Sequence, residues 1–203
     1  MRPARRRDGG CYLVCIEMPV IYFKRYRMQF DFIEREIPNE KRSSRLEYLD
    51  WDERLVVQHG LAKWESFRRE MDVSVFPCLG NKEGCKKLMR DLANRDNFVP
   101  EATWLALDRE PGARTGRAIG TIQGLRTNAL VGSIQNIGVI PDFRGKGVGR
   151  ELIRHALVGF RDVGCRYVNL EVTIHNLGAI RLYESIGFRH LETVFKVGNV
   201  PFS

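Results

Sequence analysis

The run Arg144-Gly145-Lys146-Gly147-Val148-Gly149 puts three glycines and two basic residues where an apolar strand gives way to an amphipathic helix. A helix start offers N–H groups without intrahelical partners, and the positive end of the macrodipole, so it attracts phosphate. Glycine allows φ > 0 and removes the Cβ atoms that would hold a pyrophosphate away from the backbone. Two competing phosphate loops fail on spacing. A Walker loop needs G-x-x-x-x-G-K-S/T, but Lys146 precedes the last two glycines and neither Ser nor Thr follows it. A dinucleotide fingerprint needs G-x-G-x-x-G, and its third place falls on Arg150. A tight turn without a ligand is the plain alternative, and the charge concentrated at one helix start weighs against it.

A second cluster lies in Leu170–Phe188, LEVTIHNLGAIRLYESIGF. Strand alternation puts Val168, Leu170 and Val172 on one face and Asn169 and Glu171 on the other. A carboxylate in mid-strand is costly unless it is paired or used. An ion pair with a nearby arginine and a catalytic role are both open for Glu171. Asn176 suits a helix N-cap and Gly187 a C′ residue, with Ala179, Leu182, Tyr183 and Ile186 as the apolar stripe. A tyrosine on a buried stripe needs a partner for its hydroxyl.

Together the two segments resemble the GNAT acetyltransferases. V-x-P-x-x-R-G-K-G-V-G resembles their motif A, whose core R/Q-x-x-G-x-G/A is met by Arg144, Gly147 and Gly149. Asn176, Ala179, Ile180, Leu182, Tyr183, Gly187 and Phe188 match motif B. The resemblance implies an acetyl-coenzyme A-dependent N-acyltransferase acting on a primary amine. Its turn (Arg144, Gly145, Lys146, Gly147, Val148, Gly149 and Arg150) would hold the coenzyme A pyrophosphate. The backbone of Ile137 and Val139 would pair with the pantetheine arm, and Asn176 would contact the cofactor. Tyr183 would be the general acid for the leaving sulfur. In the similar L-E-V-x-x-x-N context of ribosomal-protein alanine N-acetyltransferases a glutamate is the base, which here is Glu171. The alternative from another class is a catalytically silent acyl-coenzyme A-binding module.

The elements that must position these residues follow from periodicity. Tyr26–Phe32 alternates as a strand, followed by a polar stretch. A helix is expected from Asp50 to about Arg69 with Val57, Leu61 and Trp64 as its stripe, and another over Lys82–Ala93 with Cys85, Leu88, Met89 and Leu92. Thr103–Leu107, Arg117–Leu125 and Val131–Ile140 read as a three-strand antiparallel meander. Gly147–Phe160 is a helix, Tyr167–Thr173 a strand, Leu177–Ile186 a helix and Arg189–Val197 a strand. The fold class is α/β, a GNAT-like, mostly antiparallel mixed sheet with helices on both faces. Relatives of the resembled family end in two strands, yet only one is visible after Phe188. The segment Tyr12–Phe23 or a neighbouring subunit in a homodimer is expected to complete the sheet.

The chain has 203 residues, 43% of them hydrophobic and 29% charged, with a formal charge of +8, which suits one globular domain with a polyanionic ligand. Residues 1–25 read as a basic and apolar extension before a single domain over 26–203. Glu17 breaks the apolar run and no cleavage site follows, so neither a signal peptide nor a membrane span is expected, and a cytoplasmic location is. The five cysteines and four histidines form no C-x-x-C pair and no metal-ligand spacing, so no metal is expected. Only the charge suggests a nucleic-acid partner, and no aromatic–basic interleaving or zinc spacing supports one, so none is expected. Asp50, Trp51, Asp52 and Glu53 read either as an attractor for a cationic amine or as helix-start charges.

Overall fold

The computed structural model describes residues 21–38, 46–109 and 116–198. The basic leader, Cys11, Cys15 and most of the segment from Tyr12 lie outside the described residues. A seven-stranded sheet runs in the order β2-β3-β4-β5-β6-β1-β7. Its strands are β1 (Ile21–Asp31), β2 (Leu46–Asp50), β3 (Phe98–Asp108), β4 (Arg117–Asn128), β5 (Val131–Val139), β6 (Tyr167–Thr173) and β7 (Arg189–Gly198). The helices are α1 (Val56–Phe67), α2 (Asp72–Val75), α3 (Lys82–Ala93), α4 (Val148–Asp162) and α5 (Leu177–Ile186). Strands β3, β4 and β5 form the expected antiparallel meander, and the α4 crossover makes β5 and β6 parallel. Among the described residues no helix is long and apolar enough to cross a membrane.

The largest departure from expectation is β1. It starts at Ile21, ahead of the expected Tyr26, and lies inside the sheet, antiparallel to both β6 and β7. Its alternation explains the placement. Met28 and Phe30 are 1% and 0% exposed on one face, while Arg25, Arg27 and Gln29 take the other. Burying each of the two apolar side chains is worth roughly 1.5–3 kcal/mol. Of the segment Tyr12–Phe23 that was expected to complete the sheet, the described part, residues 21–23, extends β1, which sits between β6 and β7 and gives β7 its partner.

Two further expectations are corrected. Leu46–Asp50 is a strand on β3, where a polar stretch and a helix start were expected. It is short, half-buried and lacks an apolar run, so periodicity could not reveal it. Helix α1 also turns a different face inward. Val57 is 40% exposed, and His59, Ala62, Lys63 and Ser66 are buried instead. The cause is polar satisfaction: Lys63 Nζ donates to Gln123 Oε1 (2.5 Å) and Asn136 Oδ1 (2.9 Å), and His59 Nδ1 bonds Thr121 Oγ1 (2.8 Å). Burial pulls the pKa of Lys63 down to about 7 and that of His59, also repelled by Lys63, down to about 3.

The opposite sheet face carries the apolar core. Helix α4 buries Val148, Leu152, Ala156, Leu157 and Phe160 there, as its stripe predicts. The aromatic ring of Phe160 packs so closely on Gly132 that a Cβ at that glycine would meet it at 2.4 Å.

Candidate active site

Strands β5 and β6 pair only from Val131↔Tyr167 to Ile134↔Leu170 and then diverge. The cause is a β-bulge. Gln123 pairs with Asn136 and Gly124 with Ile134, so Gln135 is an extra residue in β5. One extra residue also swaps the faces. Before it, Gly132 points at Phe160 of α4; after it, Gly138 points at Ser66 and Phe67 of α1. Residues 136–139 thus keep β4 on one side and leave their other side to the opening between the strands.

On one side of this opening lies a cleft of about 690 Å³, well within the size of small-molecule sites. It is bounded by Ser66 and Phe67, by Ile137 to Val139, by the 144–150 turn and by the start of α5. Gly145 and Gly147 have φ of +73° and +83°, values that side chains rarely adopt. Gly147 caps α4 with no side-chain bond, and the first intrahelical donor is Glu151 N–H to Gly147 C=O (3.1 Å). First-turn N–H groups therefore lack helical acceptors beside the cleft, which fits a pyrophosphate.

The basic residues of the turn divide their work. Arg144 is engaged internally: Nε donates to Val139 C=O (3.0 Å), Nη2 to Ser66 C=O (2.9 Å), and Nη1 pairs with Glu70 (2.8 Å). It ties the turn to β5 and to the end of α1. Lys146 Nζ sits over the Phe143 ring at 4.8 Å, and Arg150 lines the cleft while bonding Ser185 Oγ (2.7 Å). Asn176 caps α5 through Ala179 N–H (3.2 Å) and lines the cleft as well.

At its inner end the cleft narrows to a space of about 60 Å³ between Ile137, Asn176, Tyr183, Asp72 and Thr173. The Tyr183 side chain makes no hydrogen bond with another described residue, so its hydroxyl is left to this passage. Burial first, and the negative charge of Asp72 second, raise the phenol's pKa above its usual value, so it keeps its proton. Asp72 is held by Arg25 Nη1 at 2.8 Å, and the same guanidinium donates to Thr173 Oγ1 (2.8 Å) and Glu171 C=O (3.1 Å).

Beyond the passage a second chamber of about 360 Å³ opens among β1, β6, β7 and α3. Glu171 stands on its wall, with Lys196 Nζ at 2.6 Å and Arg27 Nη2 at 3.1 Å. Burial alone would raise this carboxyl's pKa, but the hydrogen bonds from Lys196 and Arg27 prevail and hold it below the ordinary value. Asp50 to Glu53 lie elsewhere, at the edge strand β2, and Asp52 caps the following turn by accepting from Arg54 N–H (2.8 Å).

The structure thus brings Ile137, Val139, the 144–150 turn without Lys146, Asn176 and Tyr183 around one cleft, while Lys146 sits over Phe143 and Glu171 lines the adjoining space and the second chamber. Arg25, Arg27, Asp72 and Lys196 were missed by sequence reasoning. Alternation in β1 carried a signal for the two arginines, since it sets them opposite Met28 and Phe30. Asp72 sits in a four-residue helix with no periodicity to read.

Known proteins share the chain's sequence pattern and fold. A family model described as the acetyltransferase (GNAT) family matches residues 67–188. The chain is 35% identical over 120 residues to mycothiol acetyltransferase of Thermobifida fusca, covering 56% of this chain and 37% of that protein. A GCN5-related N-acetyltransferase from Sphaerobacter thermophilus shares the fold with a TM-score of 0.66 at 21% identity, over 89% of this chain and 51% of the other. The aminoglycoside N-acetyltransferase AAC(6')-Iy, solved in complex with CoA, gives 0.55 at 17% identity, over 81% and 97% of the two chains. This chain accordingly spans about a third to a half of the first two proteins. Acetyl-coenzyme A is the cofactor of the matched family. With that model covering most of the chain on this sheet, the chain belongs to the GNAT acetyltransferase family.

Proposed function

We propose that this protein is an N-acetyltransferase that moves the acetyl group of acetyl-coenzyme A to a primary amine, with both substrates held together on either side of the β5–β6 opening. The observation that carries this reading is the small space at Tyr183, which shares Ile137, Asn176 and Tyr183 with the cleft at the glycine turn and Arg25 and Glu171 with the second chamber. Acetyl-coenzyme A supplies the activated thioester carbonyl when bound. The first-turn N–H groups of α4, with Lys146 and Arg150, would hold its phosphates, and the open side of Ile137 and Val139 would take the pantetheine arm. Val139 C=O already accepts from Arg144 and has a second lone pair to offer.

The protein's own groups account for the protons. Tyr183 keeps its phenolic proton at working pH and stands in the passage, the place for a general acid. Glu171 stays ionised and paired, which makes it a weak proton acceptor and a strong anchor for Lys196 and Arg27. We assign it the positioning of those cations. The amine attacks as the neutral nucleophile. Once its nitrogen has bonded to the thioester carbonyl carbon, the adduct's nitrogen loses its proton to solvent through the chamber. The C–S bond breaks as Tyr183 protonates the leaving sulfur.

Incubating the whole chain with acetyl-coenzyme A and a panel of peptides, amino acids and polyamines tests the reading. Thiol should be released together with N-acetylated product for at least one acceptor class. Tight cofactor binding without release on any amine would contradict it.

A further inference from the structure

The chamber beyond the passage has an unusual charge for a site that must receive an amine. Its lining includes Arg25, Arg27, Arg95 and Lys196 against a single carboxylate, Glu171. Neighbouring groups offset part of this. Asp72 at 2.8 Å answers Arg25, Glu171 at 2.6 Å answers Lys196, and Glu192 pairs with Arg27. Arg95, just beyond the end of α3, has no carboxylate partner among the described residues, and it lines the wall together with Leu88 and Leu92. The chamber therefore holds one guanidinium more than it has carboxylates to meet.

A cationic amine entering such a chamber is repelled, whereas an amine that also carries an anion is drawn in. Arginine is suited to that task, since its planar fork matches carboxylate and phosphate oxygens in pairs. The same field serves the chemistry. Positive neighbours favour the uncharged form of an amine, which is the nucleophile that acyl transfer needs. At about 360 Å³ the chamber is at the lower end of small-ligand sites.

From this we infer that the acceptor is a small amine bearing a carboxylate or phosphate group, and that Arg95 on the chamber's lining holds that anion while the amine faces Tyr183. The inference rests on the transferase reading above and names the substrate class for the same site. The acid group can come from a free small molecule or from the first residue of an acidic peptide. The chamber's size favours the former.

The test uses matched acceptors on the full chain loaded with coenzyme A or acetyl-coenzyme A. Calorimetry and thiol release compare phosphoethanolamine with ethanolamine, glutamate with glutaminamide (which has no carboxylate), spermidine as the cationic probe, and short peptides beginning with Asp or Lys. The expected result is at least tenfold tighter binding and higher kcat/KM for the anionic member of each small pair, with the Asp peptide weaker than glutamate. Arg95→Gln, at an exposed position, should remove that preference by raising KM for the anionic member of each pair and easing the entry of ethanolamine, while leaving the Kd for acetyl-coenzyme A unchanged. Equal binding within each pair, or preference for spermidine or the Lys peptide, would overturn the inference. An Asp peptide better than every small acid would overturn its small-molecule part. Arg95-dependent binding of the anionic amines without thiol release would support the chamber's assignment and defeat the transferase reading instead.

Discussion

Tyr183 is packed by Phe188 and the α5 core, with its centroid 6.0 Å from the Phe188 ring, yet its hydroxyl bonds no other described residue. Removing the hydroxyl should therefore cost little stability and much activity. Tyr183→Phe is expected to keep its melting temperature within a few degrees and its affinity for acetyl-coenzyme A, while kcat falls by about 10²-fold or more, the scale of a lost general acid. Retained kcat in steady-state assays would remove Tyr183 from the chemistry. At this scale much of the cofactor side was legible in the sequence. The glycines, Asn176 and Tyr183 lie in contiguous runs whose order along the chain is the order of the chemistry. The chamber was not legible, because Arg25, Arg27, Arg95 and Lys196 meet only when β1, β7 and the end of α3 come together. Glu171 was left between two readings, and only its distances to Lys196 and Arg27 favour the paired one.

Helix α1 shows the limit of periodicity at the scale of elements. Its apolar residues suggested one face and its polar residues occupy the other, because Thr121, Gln123 and Asn136 supply partners that no local pattern reveals. This arrangement predicts a pH response. His59 stays neutral in the fold down to about 3, against an ordinary 6.5, so only the unfolded chain gains a proton as pH falls through that window. Stability must then decrease as pH drops below the unfolded value. Between pH 6.5 and about 5 the loss from this one group is about 2 kcal/mol, at about 1.4 kcal/mol per unit. His59→Gln, which can still bond Thr121, should flatten that slope in denaturant titrations. An unchanged slope would show that His59 is not its source. Lys63 acts in the same direction at higher pH, since its folded pKa of about 7 lies below the ordinary 10.5.

For the molecule as a whole, β1 joins the start of the chain to its end. It is hydrogen-bonded to β6 on one side and β7 on the other, and it carries Met28 and Phe30 into the core and Arg25 into the passage. Fold and site thus depend on the same strand. Met28→Ala should destabilise the protein by about 2–5 kcal/mol in chemical denaturation, as for other buried large-to-small changes. A loss below about 1 kcal/mol would show that β1 is not integral to the core. The meander, the α4 crossover and α5 were readable because each is a separate periodic segment. The position of β1 was not, since alternation tells which face a residue takes and not which strands stand beside it. The central claim is that the cleft at the start of α4 binds acetyl-coenzyme A through its glycine turn. Calorimetric titration of the whole chain with acetyl-coenzyme A, beside a Gly147→Val variant, tests it most directly. The account predicts saturable one-to-one binding that weakens with salt and drops at least tenfold in the variant, whose valine cannot readily adopt φ of +83°. No binding by the wild-type chain, or equal binding by the two proteins, would contradict it.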